Sequence, residues 1–226
     1  LLVLILVFLS ARAKGISRTP LHLSLWLLAL VIVQAVFGGL TVLLRLNPLI
    51  VTSHLFLGTV FLQFAALAAR ETGNLAASRV PASEARGWNK PVLVLAALTV
   101  FQILLGGFTA ASGSSLACPR FPVCPGLFSD NTQQNIAAHL IYTHGLLGIL
   151  ILIVSIWLLV RAFPYRKTDR RRYRPAATVC HLVFAQVLLG FANVHMRIPV
   201  PIAVIHLIVA QMILFALLVQ VRMRRV

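Results

Sequence analysis

Apolar runs of about 20 residues recur along this chain, and that is the length a helix needs to cross a bilayer. Six such runs are complete, at 21–44, 49–69, 91–111, 136–160, 176–194 and 200–221. Lipid offers no partner to a backbone amide, so each run has to bond its own backbone as a helix. The expected fold class is therefore an all-α integral membrane protein, a polytopic helix bundle. Composition agrees, with 60% apolar and only 11% charged residues. Residues 1–9 form an apolar stub that is too short to span and has no basic segment before it. It reads as the tail of a helix rather than as a signal peptide.

The charge balance, +16 from 20 Lys and Arg against four Asp and Glu, raises the question of a polyanionic partner. The positions of the cations answer it. Arg12, Lys14 and Arg18, then Arg70, Arg79, Arg86 and Lys90, then the run from Arg161 to Arg174, then Arg222, Arg224 and Arg225 all fall on alternate loops. The opposite loops carry only Arg45, Arg120 and Arg197. This asymmetry follows the positive-inside rule and puts the C-terminus in the cytoplasm. The loops are too short for a nucleic-acid-binding domain, so no nucleic acid is expected as a partner. Membrane lipid is, with the basic run 166–174 resting on anionic headgroups.

The chain also repeats itself. Gln34-Ala-Val-Phe-Gly38 through His54 matches Gln186-Val-Leu-Leu-Gly190 through His206, and the Gln-to-His spacing is the same in both. Each copy is a helix, a short turn with proline (Pro48; Pro199 and Pro201) and a second helix with its histidine in the first turns. A third element, Gln102 to Gly106-Gly107-Phe108-Thr109, resembles the first copy. The glycines let helices or a flat cofactor approach the backbone closely, and plain helix packing accounts for them equally well. Two helices precede the second copy, giving a four-helix unit with His144. The repeat offset places the counterpart of His144 ahead of Leu1. The chain thus reads as two pseudo-repeated four-helix halves, the N-terminal one incomplete, with one whole helix and most of a second lying before Leu1.

Histidine within an apolar span is costly unless it has a partner, so His54, His144 and His206 are candidate ligands. All three are expected near the extracytoplasmic helix ends, where two facing imidazoles can clamp one metal inside a bundle. Two histidines per unit, with no carboxylate or thiol at their depth, do not complete a zinc or copper site. They do suffice for heme, whose porphyrin supplies the other four nitrogens. His139 should point elsewhere, and His22 and His181 begin helices on the cytoplasmic side. His195 sits in a loop on the heme side, within reach of propionates.

Cys118 and Cys124 lie in the long extracytoplasmic loop, where disulfides persist. With three prolines between and beside them they can close a small ring that caps the bundle, the alternative being a redox-active dithiol. Arg120, inside that ring, could pair with a propionate. Cys180 reads as packing. Glu71, Glu84, Asp130 and Asp169 all fall in loops or at span ends, which leaves no buried carboxylate as a general base.

Taken together, Leu104-Leu-Gly-Gly-Phe-Thr109, Gly113-Ser-Ser-Leu-Ala-Cys-Pro-Arg-Phe-Pro-Val-Cys124, the helix bearing His144 and the final Ile205-His206-Leu207 resemble the heme A synthase family. The resemblance covers essentially the whole chain. It implies an oxidoreductase that converts a methyl group of heme O to the formyl group of heme A for a terminal oxidase. It also implies a resident heme b on His144 and His206, and heme O bound on the N-terminal side by His54 and a second-helix histidine. The implied organisation is 1–70 as the incomplete, substrate-heme half, 71–90 as a cytoplasmic linker and 91–226 as the bis-histidine half. A multi-pass protein of a bacterial or archaeal plasma membrane follows, with heme O synthase, oxidase assembly factors or further copies of the chain as partners. Two departures stand out: the family's Glu-x-x-His motif falls ahead of Leu1, and Gly145 stands where the family often has Arg. The competing readings are a non-catalytic bis-histidine membrane cytochrome or heme-handling assembly factor, and a transporter built from repeats.

Overall fold

The computed structural model of the protein describes residues 1–12, 19–72, 82–119 and 122–223. Seven helices account for most of them: α1 (Leu2–Arg12), α2 (Thr19–Leu43), α3 (Pro48–Thr72), α4 (Ala82–Ala111), α5 (Thr132–Ala162), α6 (Arg170–His195) and α7 (Val200–Met223). All but α1 are long and apolar enough to cross a membrane, so the protein is an integral, multi-pass membrane protein. Several helices outrun the apolar stretches that announce them. Beyond the lipid a helix can continue in polar sequence, provided its first amides find a cap. Asn131 caps α5 by accepting from the Gln134 amide at 3.1 Å, and Asp169 caps α6 by accepting from the Arg171 amide at 3.0 Å.

The chain forms two compact units, Leu1–Ala76 and Ala77–Val226. In the first, α2 packs against both α1 and α3. In the second, α4, α5, α6 and α7 each pack on the next, and α7 closes the ring by packing on α4. Helices α5 and α7 therefore stand diagonally across a four-helix bundle.

The second bundle buries Val92, Leu95, Ile151, Leu158, Val179, Val183, Ile213, Leu214 and Leu217, while Leu93, Phe101, Ile153, Trp157, Phe184 and Ile208 point outward. Large apolar side chains on the outside suit lipid as the solvent. Hydroxyls inside the helices are satisfied locally. Thr99 donates to Leu95 O at 2.8 Å, Thr109 to Leu105 O at 2.7 Å and Ser155 to Leu152 O at 2.8 Å, so none needs a partner from lipid.

The sequence repeat is also a repeat of backbone. The α2–α3 turn places Arg45 and Leu46 at φ 50° and 58°, and the α6–α7 turn places Arg197 and Ile198 at 60° and 61°. In each, the second of these residues bonds back five positions, Leu46 N to Thr41 O and Ile198 N to Asn193 O, both at 2.7 Å. This closure satisfies carbonyls at the helix end but holds two side-chain-bearing residues in the left-handed region. Left-handed backbone costs an L-residue roughly 1–2 kcal/mol, partly offset on replacement by the unfolded-state freedom of glycine. Leu46 is exposed, so Leu46→Gly is expected to stabilise the first unit by about 0.5–1 kcal/mol. A raised thermal midpoint in detergent checks it; a lowered one would mean that the leucine side chain contributes more than its backbone costs.

Candidate functional site

The helix hairpins α2–α3, α4–α5 and α6–α7 carry the same contact. A methyl group placed on Gly38 would stand 3.1 Å from Cε1 of His54. On Gly106 it would stand 2.7 Å from Cε1 of His144, and on Gly190 3.3 Å from Cε1 of His206. Each ring thus fills a notch that exists only because the facing residue has no side chain. The first helix of each hairpin brings a glutamine one turn before its glycine: Gln34, Gln102 and Gln186.

In two hairpins the notch is reciprocal. The Gln34 amide nitrogen lies 2.9 Å from where a methyl on Gly58 would be, and that of Gln102 lies 3.3 Å from one on Gly148. Gly58 and Gly148 follow their histidines by four residues, and at the same place after His206 stands Ala210. Glutamine and histidine therefore interlock across the hairpin. The Gln34 amide reaches His54 Nε2 at 3.3 Å, the Gln102 amide donates to the His144 carbonyl at 2.9 Å, and the His206 ring bonds the Gln186 backbone. The Gln-x-x-x-Gly spacing marks one half of this lock in the sequence. The His-x-x-x-Gly spacing that marks the other half is present too, but is recognisable only once the two helix faces are seen together.

The two histidines of the second unit come together. His144 on α5 and His206 on α7 sit on the diagonal helices, toward the end of the bundle where α4 and α6 terminate, and their rings are within electrostatic range of each other. In both, Nδ1 is buried without a hydrogen-bond partner, as it is in His54. An orphaned buried polar atom is expensive, roughly 1–3 kcal/mol, and these three stand at repeated positions. His22, His139, His181 and His195 are exposed and stand apart from this arrangement. The ring of His181 instead bonds Ala177 O at 2.7 Å within its own helix.

Among the described residues no three of His, Cys, Asp and Glu gather where they could share a metal ion. A group held by the paired imidazoles must therefore bring its remaining ligands with it, as an iron porphyrin does. The two imidazoles, each with Nδ1 unpartnered, fit that requirement, and Gly106 and Gly190 keep the adjoining backbone clear.

Over this end lies the loop between α4 and α5, in which Cys118 and Cys124 form a disulfide. Both cysteines are buried against Ala138 of α5, with Leu127, Ile141 and Tyr142 packed around them. Gly126 permits this approach, since a methyl there would stand 3.0 Å from the Ala138 side chain. The ring thus seats on the helix that carries His144, below two turns away. Arg120 lies outside the described residues. Cys180 is a buried free cysteine within α6.

The fold and the site together define a multi-pass helical membrane protein with paired histidines in a four-helix bundle. A sequence model of the cytochrome oxidase assembly protein family matches residues 1–218. The heme A synthase of Shewanella oneidensis is 30% identical over 227 aligned residues, covering 91% of this chain. The chain spans 66% of the length of that curated relative. The protein belongs to the cytochrome oxidase assembly protein family.

Proposed function

We propose that this protein is a heme A synthase, which oxidises a methyl group of heme O to the formyl group of heme A. The observation that carries the reading is the pair of buried imidazoles of His144 and His206, each with Nδ1 unpartnered, in a chain of this family that is similar to a heme A synthase. These residues would hold a resident heme b. Heme bound there supplies one-electron redox chemistry, which an oxidation at a carbon centre needs as an outlet for electrons. The residues of the chain do the rest: α5 and α7 hold the ligands, and Gly106 and Gly190 keep their rings' space open.

His54, with the same glycine notch and the same orphaned Nδ1, would be the ligand from this chain to the substrate heme O. The cation asymmetry of the loops favours a cytoplasmic C-terminus, with the cysteine loop and the histidines toward the opposite face. An enzyme that makes heme O would then supply the substrate within the same membrane.

The test is to express the protein in cells that make heme O but no heme A and to separate the extracted hemes by chromatography. A formyl heme with the mass of heme A is expected. Its absence, with the bis-imidazole spectrum intact, would favour a non-catalytic membrane cytochrome.

A further inference from the structure

The corner where α5 gives way to α6 concentrates charge. Between Arg161 and Arg174 the chain carries seven Lys and Arg and one acid, Asp169. That acid is engaged within the corner, where it caps α6 and lies 3.2 Å from the Arg172 guanidinium. The first turn of α6 has no acidic residue, and Arg170, Arg171 and Arg172 stand there against the positive end of the helix dipole. A run of like charges is ordinarily a solvated, disordered segment. This one is folded. Phe163–Tyr165 form a short helical turn, the Asp169 amide donates to Tyr165 O at 2.8 Å, and the rings of Phe163 and Tyr173 meet edge to face with centroids 6.3 Å apart.

Three of the arginines lie over aromatic rings. Arg161 is 4.9 Å from the ring centroid of Trp157, Arg166 is 4.2 Å from that of Phe163 and Arg172 is 4.8 Å from that of Tyr165. Arg172, paired with Asp169 and largely covered, braces the turn. Arg161 and Arg166 differ from it, since both are exposed and so are the rings that hold them. A long side chain loses rotamer freedom when it grips a ligand, and a guanidinium already held on a ring has met part of that loss in folding. The guanidinium also presents a planar fork of N–H donors that matches two oxygens of a phosphate.

The rings point to the source of that phosphate. The apolar span that begins with α5 ends at Tyr165, and Trp157, Val160 and Phe163 share its outward surface with Ile153 and Ile156. Arg161 and Arg166 therefore stand where hydrocarbon meets headgroups, and a soluble acidic chain would have to displace lipid to reach them.

We propose that this corner binds the phosphate of an anionic membrane phospholipid, with Arg161 and Arg166 as the gripping residues and Trp157 and Phe163 as the platforms that hold them. The neighbouring cations attract the headgroup and the ring-held pair fixes it. The site is independent of the heme reading. It differs from the general attraction of basic loops to a negative leaflet in one respect: affinity depends on which cations are held, not only on how many there are.

The experiment titrates the full chain, purified in a nonionic detergent, with a short-chain phosphatidylglycerol, and the rise in thermal midpoint gives its apparent affinity. Phosphatidylcholine of the same chain length, inorganic phosphate and oligoglutamate are the comparison ligands. A saturable rise is expected with phosphatidylglycerol alone. Arg161→Lys and Arg166→Lys keep every charge, and each should weaken the apparent affinity roughly two- to tenfold, the size of the ordering cost for one side chain. Phe163→Leu should reproduce the effect of Arg166→Lys. Because Phe163 also meets Tyr173, Arg166→Lys reads the same contact where Phe163→Leu does not fold. Wild-type affinity in both lysine variants would overturn the proposal, since charge alone would then suffice, and so would an equal rise with phosphatidylcholine. Inorganic phosphate stabilising as strongly as phosphatidylglycerol would assign the corner to a free anion, and oligoglutamate doing so would assign it to an acidic protein; either result rejects the lipid.

Discussion

His144→Ala and His206→Ala should each abolish the low-spin b-type spectrum of the purified protein while leaving it folded and helical. The two rings stand on diagonal helices of one bundle and are within electrostatic range of each other, so neither has a substitute on the other's side. Loss of an outer-shell partner already weakens metal binding by roughly 10–100-fold, and loss of a ligand should exceed that. Each substitution also removes a buried orphaned nitrogen, which offsets part of the cost of the cavity it leaves. Loss of heme with retained helix content would therefore identify a ligand and not a structural residue. His139→Ala, five residues before His144 but exposed, should leave the spectrum unchanged. Optical difference spectra with a pyridine extract for heme content check all three. A wild-type spectrum in either ligand variant would contradict the assignment.

The second large effect is expected from a single methyl group. In Gly106→Ala the new carbon would stand 2.7 Å from Cε1 and 3.3 Å from Nδ1 of His144, so the ring must leave its notch. A ligand displaced by several tenths of an ångström loses its aim at the iron, and heme content should fall several-fold; Gly106→Val should abolish binding. Gly39→Ala is the matched control, because nothing lies within 4 Å of its added carbon. There the better helix propensity of alanine should stabilise by about 0.5–1 kcal/mol. Heme-to-protein ratio and thermal midpoint, measured on both variants, separate the two outcomes. Equal heme content in Gly106→Ala and wild type would show that the notch is packing alone.

The spans and the histidines were legible in the sequence for one reason. Lipid imposes a length and an apolarity on any crossing helix, and it makes a histidine within one conspicuous. Helix ends were less legible, because the polar turns that extend α5 to Thr132 and α6 to Arg170 carry no membrane signal and depend on the caps Asn131 and Asp169. The repeat of Gln34–His54 in Gln186–His206 pointed to two equivalent hairpins. That the α4–α5 hairpin is a third copy was hidden by the disulfide loop, which separates Gln102 from His144 by 42 residues. Nor could the glycines be assigned from spacing. Whether Gly106 faces a ring or another helix depends on which faces meet, and only the interlock of Gln102 with Gly148 and of His144 with Gly106 decides it. The left-handed turns at Arg45–Leu46 and Arg197–Ile198 left no sequence mark at all, since neither glycine nor asparagine occupies those positions.

The measurement that bears most directly on the bis-histidine site is low-temperature electron paramagnetic resonance of the oxidised wild-type protein, with a pyridine hemochrome extract of the same sample. A low-spin ferric signal from two imidazole ligands, with one b-type heme for each C-terminal unit, is the predicted result. A folded protein with no heme, or one whose iron is entirely high-spin, would contradict the pairing of His144 with His206.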